Sequence, residues 1–374
     1  MAGIYIHIPF CKQKCTYCDF HFSTTFQSYR QRMIDAMCRE IEMQRTYLSD
    51  SVIETIYFGG GTPSLLTNQE LHQLLDKIHA TFTVSSAPEI TLEANPDDIS
   101  DQQVKDWKAI GVNRLSIGLQ SFKASDLAWM NRAHTVEESM VCLDIAIQNG
   151  IENITVDLMY GLPDLSNEKW KKHIEQVIQK GVNHISAYCL TVEEGTALDK
   201  FVETGKIVPA SENTQAEQFL ILLETVEKNG FHQYEISNFC KTGFESKHNS
   251  NYWKGVHYLG IGPSAHSFNG FSRSWNIRNN QQYMKLIESN DSWFDQETLS
   301  PNDQFNELIL TGLRTIYGVN LDQLNTILPL PNEFKALIQE FIQLELMEQN
   351  ESIIRLTKSG KLQADRIASD LFVV

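Results

Sequence analysis

Tyr5–Phe22 reads YIHIPFCKQKCTYCDFHF. It sets Cys11, Cys15 and Cys18 in a C-x3-C-x2-C spacing, on a tight loop that follows the short apolar run Ile4–Pro9. Three thiolates on one loop can hold three irons of a four-iron cluster and leave the fourth iron an open position. A structural zinc site asks for four closed ligands, commonly with a second cysteine pair. No second pair follows downstream, so zinc fits poorly. Three unrelated buried thiols remain the plain alternative.

The 374 residues suggest two domains, or three, with ample material for a large core. A hydrophobic share of 42% with mixed charge is that of an ordinary soluble chain. The net charge of −16 argues against binding to phosphate backbones, which requires basic surface. Pro9 and Cys11 interrupt any secretory n- and h-region, and no apolar run reaches membrane-spanning length. Seven cysteines, an odd number with three clustered, point to a reducing cytoplasm and metal binding rather than disulfides. Cys38, Cys142, Cys189 and Cys240 are scattered and read as small buried hydrophobes.

Strand-like and helical patterns alternate through the first half of the chain. GIYIHI precedes a helix near 27–47, TIYFGG one near 68–82, and EITLEAN one near 101–110. RLSIGLQ precedes a helix near 137–149, NITVDLMYG one near 167–180, and HISAYCL is the sixth strand. Such βα units predict an α/β fold with a parallel sheet, and in βα barrels the C-terminal rim of the strands carries the site. The pattern weakens after Thr191. A helix is expected near 214–229, then a Gly- and aromatic-rich stretch. From Pro301 three helices, a β wing around SIIRLTKSGK and a last helix resemble a winged helix. FKALIQEFIQLELMEQ sets Lys335 against Glu340, Glu345 and Glu348, so no basic recognition stripe is present and nucleic acid is not expected as a partner. The expected division is a core over 1–235, a connecting segment over 236–295 and a C-terminal winged-helix-like domain over 296–374.

The cysteine spacing, with Tyr17 just before the last cysteine, resembles the signature of the radical S-adenosylmethionine (SAM) superfamily. The flanking IYIHIPFC is similar, more narrowly, to the oxygen-independent coproporphyrinogen III oxidase group. The resemblance implies a partial (β/α)6 TIM-type barrel holding a [4Fe–4S] cluster. It implies SAM chelated to the open iron through its amino and carboxylate groups. One-electron reduction would then cleave it to methionine and a 5'-deoxyadenosyl radical.

Further motifs follow in the family's order. Gly59–Pro63 reads GGGTP, and the resemblance places Gly60 against SAM with Gly61 and Thr62 beside it. Three glycines also allow close approach of backbone to a ligand, or make a plain turn. Glu93 in LEANP implies a SAM contact. Gln120 in GLQSF, Arg132 in MNRAH and Asp157 in TVDLMYGLP match residues that bind a second SAM in the oxidases. Tyr5 and Tyr17 match aromatics near SAM, and Cys189 falls where the oxidases carry a small residue.

Two departures separate the chain from the oxidases. Phe20 stands where they have a further cysteine, and only four residues precede Tyr5 where they have an N-terminal extension. CDFHF is closer to a heme-chaperone branch of the group. HNSNYW at 248–253 matches that branch's HNxxYW, which makes His248, Tyr252 and Trp253 candidate heme contacts, with His7 and His266 as competing ligands. A loop histidine packed by two aromatics is the bland alternative. The resemblance thus implies a cytoplasmic chaperone that binds heme, a cluster and SAM. Its partners would be heme-acceptor proteins, membrane-associated ones among them, and an electron donor for the cluster. The alternatives are a genuine coproporphyrinogen III dehydrogenase and a non-enzymatic heme carrier with a structural cluster.

Overall fold

The computed structural model of the chain describes residues 1–48 and 51–373. Six strands alternate with helices from the N-terminus: β1 (Ala2–Ile8), α1 (Arg30–Met43), β2 (Ile53–Gly60), α2 (Asn68–Thr81), β3 (Val84–Ala94) and α3 (Asp101–Ile110). β4 (Arg114–Gln120), α4 (Ala124–Trp129), α5 (Val136–Gln148), β5 (Asn153–Tyr160), α6 (Asn167–Gln179) and β6 (His184–Cys189) complete this series. β1 to β6 lie side by side in chain order, every pair parallel. This is the partial (β/α)6 barrel, with all cysteine-loop and rim motifs at its C-terminal end.

The strands form because their residues alternate with period two. Ile4, Ile6 and Ile8, Ile56 and Phe58, Leu115 and Ile117, and Ile154, Val156 and Leu158 are completely buried in the hydrophobic core. The intervening residues meet one another inside the barrel. Tyr5 stacks on Tyr57 at 6.1 Å, and Thr155 Oγ1 lies 3.1 Å from His184 Nδ1. Burying a Val-, Leu- or Ile-sized side chain contributes roughly 1.5–3 kcal/mol. The outer apolar layer therefore carries the stability, while the inner layer is polar.

Beyond β6 come α7 (Ala197–Glu203), α8 (Glu212–Lys228), β7 (His232–Glu235), β8 (Asn238–Cys240) and α9 (Lys247–Trp253). β9 (Tyr258–Ile261), β10 (His266–Phe268), β11 (Ser272–Asn276), α10 (Asn280–Ser289) and β12 (Phe294–Thr298) follow. The stretch expected as a connecting segment is thus woven into the sheet. β8 and β7 extend it antiparallel past β6, and β9 pairs parallel with β1 and leads into β10–β12. A buried carboxyl ties this addition down. Glu40 of α1 accepts from Gly262 N at 2.7 Å, Asn276 Nδ2 at 2.6 Å and Trp293 Nε1 at 2.8 Å, and from the Tyr283 hydroxyl.

The C-terminal part has its own core, built on Phe305, Ile309, Phe334, Ile338 and Ile354. It comprises α11 (Pro301–Leu313), β13 (Val319–Asn320), α12 (Leu321–Ile327), α13 (Asn332–Gln343), β14 (Met347–Asn350), β15 (Ile353–Leu356), α14 (Lys358–Lys361) and α15 (Ala364–Asp370). Its three strands pair in the order β13-β15-β14, a small wing among helices. It joins the barrel through reciprocal backbone bonds, Ile236 N to Arg314 O at 3.0 Å and Ile316 N to Tyr234 O at 3.1 Å.

Candidate cluster and cofactor cavity

The cysteine loop is fixed at its base by backbone bonds. Ser23 N donates to Pro9 O at 2.9 Å and Cys11 N to Ser23 O at 3.1 Å, closing the loop on the end of β1. Gly61 N and Thr62 N then reach Ile8 O at 2.8 Å and Phe10 O at 2.7 Å, which ties the glycine turn after β2 beneath the loop. Thr16 N donates to Met130 O at 3.1 Å and Thr16 O accepts from Leu198 N at 2.8 Å, so α4 and α7 hold the outer side.

The loop overhangs a cavity of about 430 Å³. Cys11, Cys15 and Cys18 face it from above. Gly60, Gly61, Thr62, Glu93, Gln120, Arg132, Asp157 and Cys189 face it from the strand ends, with Tyr17 alongside. Eleven of the candidates named from sequence and Tyr17 thus meet in one place, while Tyr5 lies a layer deeper in the barrel, its hydroxyl 3.2 Å from His7 Nδ1. A hollow of about 1000 Å³ over α1–α3 is larger, but it is shallow and gathers no such constellation.

Gly60 and Gly61 allow the close approach. Gly60 has φ +101°, and a Cβ there would lie 2.6 Å from the His7 ring; a Cβ on Gly61 would lie 2.6 Å from Phe10 O. A side chain at Gly60 therefore breaks the turn itself rather than merely filling the cavity. Gln120 sits at φ +67°, an uncommon conformation for a residue with a side chain, at a register shift between β4 and β5.

Arg132 braces loop to rim. Its guanidinium donates to Asn95 Oδ1 at 2.7 Å and Gly118 O at 2.8 Å, and reaches Cys15 Sγ at 3.7 Å. Burial works against its charge, but Tyr17 and Cys15 more than offset that and hold it protonated. Thr62 Oγ1 donates to Cys11 Sγ at 3.5 Å. Two further residues at the site have no signature in the sequence: Asn95 of LEANP, which accepts from Arg132, and Lys12, paired with Asp97 at 2.5 Å and with Asp98.

Burial pushes the Cys11 thiol up to about 12, despite the Thr62 hydroxyl, and the Cys18 thiol up to about 11. Burial also raises Glu93 to about 7, against bonds from Tyr57 Oη (2.8 Å) and Gly60. Asp157 is raised to about 6 by burial, against bonds from Ser186 and Ser116. The donor set fits a three-thiolate cluster. All three thiols are free and partly exposed toward one cavity, with a cation in reach of one of them.

The HNxxYW residues stand elsewhere. α9 closes the opposite, N-terminal end of the barrel, capped by Glu89, which accepts from Lys247 N at 3.1 Å and His248 N at 3.0 Å. His248 is 2% exposed. Its Nδ1 lies 2.8 Å from Thr55 Oγ1 and its Nε2 2.9 Å from Tyr252 Oη, and its ring stacks on Tyr57 at 5.0 Å. Burial, with Arg114 nearby, lowers it to about 3, so the ring is neutral. Trp253 lies under the Arg314 guanidinium, 5.5 Å from the ring centre, at the junction with the C-terminal part. His7 is also buried and bonded at both nitrogens, with Nε2 2.8 Å from His21 O. His266 is exposed on β10, 6.5 Å from the Trp275 ring.

Comparison with known proteins agrees with this geometry. The radical SAM superfamily pattern matches residues 5–177, and the HemN C-terminal domain pattern matches 299–362. The chain is 33% identical over 371 residues to the heme chaperone HemW of Bacillus subtilis, covering 98% of each chain. It is 35% identical over 269 residues to heme chaperone HemW of Escherichia coli, covering 71% of this chain and 69% of that one. Among solved structures, coproporphyrinogen III oxidase (HemN) from Escherichia coli superposes with a TM-score of 0.85 at 21% identity, over 100% of this chain and 90% of that one. That likeness establishes the fold. The chain belongs to the radical SAM superfamily, in the family of the HemW heme chaperones.

Proposed function

We propose that this chain is a cytoplasmic heme chaperone that carries one [4Fe–4S] cluster and SAM and hands heme to acceptor proteins, membrane-bound ones included, with an external electron donor for the cluster. The observation that carries this reading is the cysteine loop. Phe20, in place of the oxidases' extra cysteine, stands 66% exposed at the cavity mouth, where an apolar face meets solvent. The full-length likeness to heme chaperones supports it.

Cys11, Cys15 and Cys18 would hold the cluster, each losing its thiol proton on assembly. Held there, the cluster and SAM would supply one-electron reductive cleavage of the sulfonium, with the electron coming from the external donor. The protein's own residues bind and orient. The turn Gly59–Gly61 offers backbone groups, Glu93 and Asp157 set negative charge against a cation, Gln120 and Tyr17 line the pocket, and Arg132 fixes the Cys15 side of the loop.

For heme, His266 is the exposed imidazole among the three candidates His7, His248 and His266. His248 would need to give up its bond to Thr55 or Tyr252, so ligation there competes with closure of the barrel end. Glu93, Gln120, Arg132 and Asp157 on one cavity suit a bound SAM and weigh against a purely structural cluster, and radical decarboxylation of coproporphyrinogen III is the second reading. Anaerobic reconstitution followed by parallel assays separates the two. A Soret band on heme addition with coproporphyrinogen untouched is expected. Formation of protoporphyrinogen IX with SAM and a reductant would establish the second reading instead.

A further inference from the structure

His232 and Cys240 are direct cross-strand partners in the β7–β8 hairpin at the edge of the sheet. Glu245 returns to them from the loop that leads into α9. His232 Nε2 lies 3.0 Å from Glu245 Oε1 and 3.8 Å from Cys240 Sγ, and one donor atom from each of the three lies within 4.8 Å of the others. Cys240 is fully buried, whereas the His232 and Glu245 side chains are 38% and 32% exposed. Among the described residues this is the only group of three His, Cys, Asp or Glu donors that converges so tightly.

We infer that His232, Cys240 and Glu245 form a second metal site, for a single zinc ion, distinct from the cluster loop and at the opposite end of the barrel. Zinc takes nitrogen at about 2.0–2.1 Å, sulfur at about 2.3 Å and carboxylate oxygen at about 2.0–2.2 Å around a tetrahedron. Donors on such a tetrahedron stand roughly 3–4 Å apart, which the three residues already approach. An imidazole, a thiolate and a carboxylate are a borderline set that suits zinc rather than calcium or magnesium. The exposed side leaves the fourth position to water, which makes this an open zinc site and not the closed four-ligand kind. Binding displaces one proton from the Cys240 thiol to solvent. The dication, thiolate and carboxylate then sum to zero charge, which suits a half-buried place at a sheet edge.

The ion would clip the hairpin to the loop before α9. Glu245 immediately precedes Ser246, the N-cap of α9, whose Oγ accepts from Asn249 N at 3.3 Å and whose N–H reaches Tyr234 Oη at 3.4 Å. Zinc would thereby pin the helix that carries the HNxxYW residues.

The test uses the full chain with its cluster loaded, so that the loop cysteines are occupied, and zinc as the probe. The expected result is one zinc per chain. Its X-ray absorption fine structure should show one sulfur and otherwise nitrogen or oxygen. Amides of 246–253 should exchange more slowly with zinc than after chelation. Cys240→Ser should lose the sulfur shell and weaken binding beyond the ~10–100-fold that removal of an outer partner costs. Glu245→Gln, which can still bond to His232, should weaken binding as well; it keeps the test open if Cys240→Ser fails to fold. Absence of zinc uptake in the loaded protein, a sulfur-rich shell, or unchanged affinity in Glu245→Gln would overturn the site.

Discussion

The two ends of the barrel are made from the same strands and are built for different ends. At the C-terminal rim, thiols, a strained glutamine, carboxyls lifted toward neutrality and an exposed phenylalanine converge on open space. At the N-terminal end, His248, Tyr252, Thr55 and Glu89 satisfy one another. Buried polar groups with complete partners stabilise and specify a fold, whereas polar groups with spare capacity facing a cavity are available to a ligand. Both ends carry a motif resembling a family signature, and they differ in that the His248 ring is bonded at both nitrogens whereas the three loop thiols are free. Three groups at the closed end lack complete partners: Ser250 Oγ and Trp253 Nε1 of α9 are buried without a partner, and so is part of Arg114. Arg114 is 1% exposed, bonds to Thr155, has an unpartnered Nε and makes no salt bridge among the described residues.

The sharpest way to break the contrast is at the open end. Cys15→Ala should abolish the cluster, from about four irons per chain to nearly none, with loss of the brown colour. Because Cys15 is only partly buried, the thermal midpoint of the iron-free protein should hardly move. Full iron and sulfide content after anaerobic reconstitution would show that the loop does not hold a cluster.

The matching change at the closed end is His248→Ala. It leaves the hydroxyls of Thr55 and Tyr252 short of a partner and opens a void beneath Tyr57. The expected loss is on the order of 2–4 kcal/mol of unfolding free energy, read by denaturant titration, with iron content intact. Iron falling in step with stability would mean that the two ends are not separable. Weaker heme binding in a variant that remains folded would bring His248 into the heme site.

Glu93→Gln probes the charge of the rim. Glu93 is held at about 7, above its ordinary value of 4.5, chiefly by burial. A carboxyl raised on folding contributes stability that is fully present below pH 4.5 and lost as pH rises through 7. A bound sulfonium favours the ionised form, so SAM affinity should rise between pH 5.5 and 8, by at most about tenfold per pH unit for one group. Glu93→Gln should flatten most of that slope and leave the part due to Asp157. An unchanged slope, measured by equilibrium binding to the cluster-loaded protein, would remove Glu93 from the SAM site.

The smallest stability effect belongs to Phe20→Ala. The side chain is largely in solvent, so unfolding free energy should change by less than about 0.5 kcal/mol, while heme affinity should drop severalfold if this ring covers a porphyrin face. Heme titration by Soret absorbance decides, and equal affinity would move the heme surface away from the cysteine loop.

By itself the sequence determined the barrel and its rim. Strands such as YIHI and LSIGL declare themselves because alternate residues are buried against helices, and the rim motifs sit where each strand ends, so Cys11 to Cys189 fall into one cavity without knowledge of packing. Arg132 was legible as a rim residue, but its bonds to Asn95, Gly118 and Cys15 were not, since residues 14 to 117 positions apart meet only when β4, the loop and α4 are stacked. The short strands β7–β12 gave no periodic signal, because three to five residues are too few to repeat a pattern. The place of α9 was decided by tertiary structure alone. HNSNYW is helical and its aromatics suit a flat ligand, but Glu89 caps the helix and Thr55 takes the imidazole from strands more than 150 residues earlier. A histidine's chemistry depends on what its two nitrogens touch, and those partners are set by the closure of the barrel, which no local stretch of sequence encodes.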